Sequence, residues 1–288
     1  MAKEKQLFDL KHVGPNSSVV SMDVKAGWEQ WFLLRSDTHT DNPKSNRDME
    51  LRHLRLAKER NAGIIDNGDL FCAMQGKYDK RSSKESIRPE HQTNNYLDSL
   101  VDTAVALYAP YAQNFLILGR GNHETAIQKN HETDLTDRLA AGLRRHGSQC
   151  IAGGYGGWLR FQFTIHKTKK DSKLLHHFHG SGGGGPVTAG IIDCNRIGVY
   201  TPDADFVLTG HHHTSWILNV RRQRISQAGK LYHDDQTFIR VAGYKDAWAD
   251  GFAGFEVERR HGPKPMDAAW LRFYYESDEI RHEVIRAT

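Results

Sequence analysis

Leu118-Gly119-Arg120-Gly121-Asn122-His123-Glu124 is the stretch that decides the reading of this chain. It follows Phe115-Leu116-Ile117-Leu118, a short apolar run bounded by turn residues, which reads as a buried strand. The glycines let the backbone turn sharply and approach whatever lies at the strand's end, and Asn122 and His123 offer an amide oxygen and an imidazole side by side. A Gly-Asn-His-Glu tetrapeptide alone is also an ordinary polar turn, so the surrounding chain has to decide.

Upstream the same arrangement recurs. Trp31-Phe32-Leu33-Leu34 reads as a buried strand ending at Asp37-Thr38-His39, and Val19 to Val24 before it as an edge strand. Ser45, with Asp48 three residues on, signals a helix start, and Met49, Leu51, Leu54, Leu56 and Ala57 carry the helix to about Asn61-Ala62-Gly63. Ile64-Ile65 is a second short strand, ending at Asn67-Gly68-Asp69. A long polar segment from Cys72 to about Asn95 then precedes a helix from about Tyr96 that stops near Pro110. Strand, helix, strand, helix, strand is the pattern of a parallel α/β layer, whose functional loops sit at the carboxyl ends of the strands.

Downstream a helix is expected from Leu135 to about Arg145, and then the pattern changes. Trp158–Phe163, Leu174–His179, Asp205–Leu208, Trp216–Val220, Thr237–Val241, Trp270–Tyr275 and Ile280–Ile285 all read as strands. The second half is therefore β-rich. With no internal repeat and no linker, the expectation is one domain over residues 1–288, with a polar insertion at about 72–95.

Composition bounds the function. The 288 residues carry 38% hydrophobic and 26% charged residues with a net charge of +4, as in a soluble globular protein suited to an anionic substrate without a nucleic-acid-binding charge signature. Cys72, Cys150 and Cys194 are dispersed, with no CxxC spacing, so neither a disulfide framework nor a thiolate metal site is implied. No signal peptide and no apolar run long enough to span a bilayer is present, and the expectation is a cytoplasmic protein without a membrane partner. Seventeen histidines stand out, because imidazole is the commonest side-chain metal ligand.

Five motifs follow one another: Asp37-Thr38-His39, Gly68-Asp69, Gly121-Asn122-His123-Glu124, His179-Gly180 and Gly210-His211-His212-His213. In a strand-like extension, residues i and i+2 project to one side, so Asp37 and His39 can grip one ion, and His211 and His213 likewise converge while His212 points away. Oxygen and imidazole donors without thiolates suit Mn, Fe, Co, Ni or Zn better than Ca or Mg.

In their order and separations these motifs resemble the calcineurin-like metallophosphoesterase superfamily, from about Phe32 to His213. The resemblance implies an α/β fold, a two-sheet α/β/β/α sandwich with a dinuclear metal site at the strand carboxyl ends. It implies that Asp37, His39 and His213 hold one divalent transition-metal ion, that Asn122, His179 and His211 hold a second, and that Asp69 bridges both, with Mn favoured. It further implies phosphoester hydrolysis, preferably of a phosphodiester, by a metal-bridging hydroxide, with His123 protonating the leaving oxygen or stabilising the phosphoryl group. Arg120 matches a phosphate-contacting arginine of the phosphoprotein phosphatase branch. That match stops at Gly68-Asp69, which is followed by Leu70-Phe71-Cys72-Ala73 and lacks the branch's second aspartate and arginine. The acid partner of His123 is thus unassigned.

His176, His177 and His212 read as core or supporting histidines. His177 shares a face with His179, and His179 is preferred because the family's ligand precedes a glycine. Glu124 reads as a structural hydrogen-bond acceptor, the glycine run at 182–185 as a flexible loop and Pro186 as the start of a helix. Basic residues group in three expected loops: Lys77, Lys80, Arg81, Lys84 and Arg88; Lys167, Lys169, Lys170 and Lys173; Arg221, Arg222 and Arg224 with Lys230. Each is a solvated face by default, but around a metal mouth they would favour a polyanionic substrate, nucleic acid included. The rival readings are a DNA nuclease of the same superfamily, disfavoured because little chain follows the core, and a metal-binding scaffold without catalysis, disfavoured because no ligand position is replaced.

Overall fold

A computed structural model describes residues 6–74, 87–182, 188, 190–249, 251–252, 255–258, 260 and 262–288. Its centre is a parallel run of β3 (Glu29–Arg35), β4 (Gly63–Asp66), β5 (Phe115–Leu118) and β6 (Ile151–Ala152). β12 (Ala268–Glu276) and β13 (Glu279–Ala287) extend this sheet antiparallel beside β3, giving the six-strand order β13-β12-β3-β4-β5-β6. The second sheet has seven strands in the order β1-β2-β7-β8-β9-β11-β10. These are β1 (Asp9–Gly14), β2 (Ser17–Val24), β7 (Gly156–Ile165), β8 (Lys169–Phe178), β9 (Phe206–Thr209), β10 (Trp216–Ile225) and β11 (Leu231–Arg240). The helices are α1 (Arg47–Glu59), α2 (Tyr96–Tyr108), α3 (Asn122–His131), α4 (Leu135–Arg144), α5 (Ile192–Tyr200) and the short α6 (Phe255–Glu258).

Alternation along each strand builds the layers. Phe32 and Leu34 of β3 face the other sheet and share one apolar layer with its Phe161 of β7 and Phe206 of β9 and with Phe273 of the neighbouring β12, while Leu33 between them faces the helices. Ile65 and Ile64 of β4 divide in the same way, and so do Phe206 and Val207 of β9, with Val207 joining Cys194 of α5 on the outer face. Strands buried on both sides must be apolar throughout, which is why β3, β4, β5 and β9 appear in the sequence as short unbroken runs. The result is the expected α/β/β/α sandwich.

Several local expectations change. Val19–Val24 belongs to β2, which is interior, because β1 pairs with it antiparallel on one side and β7 parallel on the other. Asn46, not Ser45, caps α1: its side chain accepts from Met49 N at 3.0 Å, while the Ser45 hydroxyl donates to the Thr38 carbonyl at 2.6 Å. Two of the three basic loops are largely strand. Lys169, Lys170 and Lys173 lie on β8, and Arg221, Arg222 and Arg224 lie on β10, where Asp234 and Asp235 of β11 pair with all three arginines. Lys77, Lys80, Arg81 and Lys84, the glycines at 183–185 and Pro186 lie outside the described residues, and Arg88 donates to the carbonyls of Thr40 at 3.0 Å and Ser45 at 2.9 Å. Among the described residues no helix is long and apolar enough to cross a membrane.

A buried charge cluster fixes the strand ends from below. Arg35, the last residue of β3, is completely buried, with Nε 2.7 Å from Asp66 at the end of β4 and Nη1 3.0 Å from Glu50 of α1. Tyr108 donates its hydroxyl to Glu50, and Asp66 accepts from Gly68 N at 3.2 Å. Removing one member of such a buried set costs about 3–5 kcal/mol, so the cluster holds both strands and the turn that follows β4 in one arrangement.

Candidate metal centre

Every expected ligand lies just beyond a strand end, and in this fold those ends gather on one side. Asp37 follows β3, Asp69 follows β4, Asn122 follows β5, His179 is the first residue after β8, and His211 follows β9. Main-chain hydrogen bonds stitch the five turns together: Asp37 N to Gly68 O at 2.9 Å, His39 N to Asp69 O at 3.0 Å, Gly119 N to Asp66 O at 2.6 Å and Gly210 N to His179 O at 2.8 Å. The convergence does not come from strand extension, as i and i+2 spacing suggested. Asp37, His39, Asp69, His211 and His213 all have φ between 46° and 70°, in the left-handed region that side chains rarely enter. Such residues cost on the order of 1–3 kcal/mol each, and they concentrate where function over-determines the backbone. Gly210 is required for the close approach itself, because a Cβ there would stand 2.1 Å from Ser36 Oγ and 2.4 Å from Asp37 Oδ2.

Two sets of donors result. Asp37, His39 and His213 offer ligand atoms within 4.8 Å of one another, and Asp69, His179 and His211 form a second such set. Asn122 joins the second, its Oδ1 lying 3.2 Å from His179 Nε2. All seven residues named from the sequence are thus brought together, and His211 and His213 divide between the two sets. His177 turns away, with its Nδ1 3.3 Å from Asn67 Oδ1.

The details prepare these atoms for a cation. His179 Nδ1 donates to the Asn67 carbonyl at 2.9 Å, which leaves Nε2, 3.1 Å from Asp69 Oδ2, facing the site. Asp37 Oδ2 accepts from His211 N at 2.8 Å, whereas Asp37 Oδ1 and both ring nitrogens of the buried His39 have no hydrogen-bond partner. Burial, then the nearby Lys245 ammonium, depresses His39 well below the usual imidazole range and His213 to about 3, so both are neutral and able to coordinate at pH 7. Burial raises Asp37 to about 7. His179 goes the other way: burial, the largest single effect, opposes its charge, but Asp69, Asp37 and the Asn67 carbonyl together lift it to about 10. The pocket between Asp69 and His179 therefore draws a positive charge even from a proton. Orphaned donors, neutral imidazoles and a cation-seeking carboxylate fit divalent metal ions.

Glu124 is the acceptor foreseen. It is buried, its Oε2 takes Gly121 N at 2.8 Å and Asp69 N at 3.1 Å, and its Oε1 takes Phe71 N at 2.9 Å. Asp41, unremarked in the sequence, does the same for Cys72 N and Ala73 N. His123 opens α3 at the rim of the site, and its Nδ1 donates to the Cys72 carbonyl. A main-chain oxygen thus stands where an acidic side-chain partner was missing. Arg120 is held elsewhere, with its guanidinium on Asp134 and, at 2.8 Å, on Gln128 Oε1.

One residue escaped sequence reasoning altogether. β11 runs parallel to β9, so its carboxyl end also points to the site, and the turn after it rests on the first motif through Tyr244 N to Asp37 O at 3.2 Å. Lys245 follows, half-buried, with no acidic partner among the described residues, and its ammonium acts on His39, His213 and Cys72. Its only signal was the strand-like segment Phe238–Ala242, apolar except for Arg240, followed by Gly243, the same strand-then-glycine pattern that delivers other site residues.

The family profile described as calcineurin-like phosphoesterase matches residues 31–215. The chain belongs to the calcineurin-like phosphoesterase family, and its two packed sheets flanked by helices are consistent with that family's fold. No curated protein matches it. Among solved structures it is similar to Vacuolar Protein Sorting 29 from Cryptosporidium parvum, at 11% identity and a TM-score of 0.37, covering 90% of this chain and 98% of that one. It is also similar to a conserved protein, a predicted phosphoesterase, from Streptococcus pneumoniae, at 11% identity and a TM-score of 0.34, covering 91% and 92%. A third likeness is the calcineurin-like phosphoesterase YfkN from Bacillus subtilis, at 10% identity and a TM-score of 0.31, covering 90% of each chain. Scores this low leave the family profile to carry the assignment.

Proposed function

We propose that the chain is a phosphoester hydrolase dependent on two divalent transition-metal ions, Mn favoured, acting on a phosphodiester in preference to a monoester. Asp37, His39 and His213 would hold one ion, Asn122, His179 and His211 the other, and Asp69 would be shared. The observation that carries this reading is the set of buried atoms without partners, Asp37 Oδ1 and both nitrogens of His39, beside a His213 imidazole that burial keeps neutral. Such a pair of ions would supply Lewis-acid charge to a phosphoryl group and the acidity that makes a nucleophile of water near neutral pH.

The chain's own residues supply the remaining functions. His123, fixed by the Cys72 carbonyl at Nδ1, presents Nε2 to the leaving oxygen and gives up its proton there. The Lys245 ammonium binds the non-reacting phosphate oxygens as the ester approaches. Arg120 would reach phosphate only by leaving Asp134, so Lys245 is the better candidate for that contact. The apolar layer between the sheets draws on both of them, which supports a single domain serving one site. Three buried free cysteines fit a reducing, cytoplasmic compartment.

A screen of bis-p-nitrophenyl phosphate, p-nitrophenyl phosphate, cyclic nucleotides and single- and double-stranded DNA, with and without Mn2+, tests this reading. The small diester should be cleaved faster than the monoester, and only with metal. Cleavage confined to DNA would favour the nuclease, and tightly bound ions with no hydrolysis of any ester would favour the scaffold.

A further inference from the structure

A third donor set lies beside the first two. His39, Cys72 and His123 place a thiol and two imidazoles within 4.8 Å of one another, and none of the seven proposed ligands explains why a sulfur stands there. Cys72 is 2% exposed and His39 is 1% exposed, so the set is enclosed. The His39 and His123 rings are 4.9 Å apart between centroids, at 74°. His123 spends Nδ1 on the Cys72 carbonyl, which leaves Nε2, 3.8 Å from Asp69 Oδ2, with its lone pair available to a cation. His39 has two ring nitrogens without a hydrogen-bond partner, and the Asp37 set can engage one lone pair only. Asn42 Nδ2 points at the Cys72 sulfur from 3.3 Å, a donor that steadies a sulfur carrying negative charge.

We propose that His39, Cys72 and His123 form a site for a thiophilic divalent cation of the Zn2+ and Cd2+ class, and that its occupation switches the metal centre off. Mixed thiolate and imidazole donors select such ions, whereas Mn2+ prefers the oxygen-bearing sets on either side. Binding forms a sulfur–metal bond as the Cys72 S–H bond breaks, the proton passes to solvent, and nothing is oxidised or reduced. A neutral imidazole has a single lone pair, so an ion held here takes His39 away from Asp37 and His213. It also occupies Nε2 of His123, the nitrogen that would protonate the leaving group. Inhibition then follows from two of the three ligands at once, and only this part rests on the functional reading above.

The test is a Cd2+ titration of the full chain loaded with Mn2+, followed both by near-ultraviolet thiolate-to-metal absorbance and by hydrolysis of bis-p-nitrophenyl phosphate. The absorbance should rise and saturate in the wild type and be absent in Cys72→Ser. Hydrolysis should fall by about 10²-fold, the scale of losing a general acid, with the Cys72→Ser protein, normalised to its own rate without Cd2+, far less sensitive. The wild-type absorbance needs neither a variant nor activity. A wild type that hydrolyses the diester but shows no band, a band that persists in Cys72→Ser, or equal inhibition of the two proteins overturns the site. A band without hydrolysis of any ester sinks the functional reading and leaves the site standing.

Discussion

His123 and Lys245 face the same reaction and should fail differently. His123→Ala removes the proposed proton donor while leaving the seven proposed metal ligands in place, so metal content should persist and turnover should fall by about 10² to 10⁴. Because p-nitrophenolate leaves without much help, the defect should be smaller on a p-nitrophenyl ester than on an alkyl ester, and equal defects in the two kcat values would move His123 from proton donor to phosphoryl contact. Lys245→Ala should instead raise KM for the diester with kcat nearly unchanged, since in the proposed mechanism its ammonium would bind oxygens that do not react. A fall in kcat at constant KM would reject that role. The seven donors were legible because each belongs to a short motif, whereas Lys245 lies 32 residues past His213 and the partner of His123 is a main-chain carbonyl. A carbonyl has no letter in a sequence. The left-handed backbone at five of the donors was equally hidden, for Asp and His give no warning of φ as glycine does.

The parallel strands β3, β4 and β5 and helices α1, α2 and α4 followed from apolar periodicity, but α3 did not. Its sequence, Asn-His-Glu-Thr-Ala-Ile-Gln-Lys-Asn-His, buries only Glu124 and Ile127 and so shows no apolar stripe. What fixes it is its first turn, where Glu124 collects the N–H groups of Gly121, Asp69 and Phe71 and so welds the start of α3 to the turn after β4. Glu124→Ala strands three buried donors at about 1–3 kcal/mol each, so urea unfolding of the metal-free protein should show a loss of about 3 kcal/mol or more. A loss under about 1 kcal/mol, within reach of an ordinary surface change, would show that the weld carries no load. The β2 and basic-cluster expectations failed for a related reason. Pairing partners decide whether a strand is interior and whether Arg221, Arg222 and Arg224 are free, and partners are far away in sequence.

For the whole molecule, the order of motifs was enough to foresee the two-sheet sandwich, while its response to acid depends on packing. Nine histidines, at 39, 53, 91, 176, 177, 211, 212, 213 and 282, are pushed below the ordinary imidazole value, chiefly by burial. The unfolded chain protonates them near about pH 6.5 while the folded one resists, His177 to about 4, so between those values the unfolded state binds more protons and stability falls as pH falls. Asp37, Asp66 and Glu124, raised by burial, and His179, raised by Asp69 against burial, work in the opposite sense but are outnumbered. The metal-free protein should therefore show a lower Tm at pH 5.5 than at pH 7.5, and an unchanged or higher Tm would mean that the histidines are not buried as described. The central claim, that seven side chains from five strand ends make a two-ion phosphoesterase, is tested most directly by titrating metal-stripped protein with Mn2+ while following hydrolysis of bis-p-nitrophenyl phosphate. The account predicts no rate without metal and a rate that saturates at two equivalents; saturation at one equivalent, or a rate indifferent to metal, would contradict it.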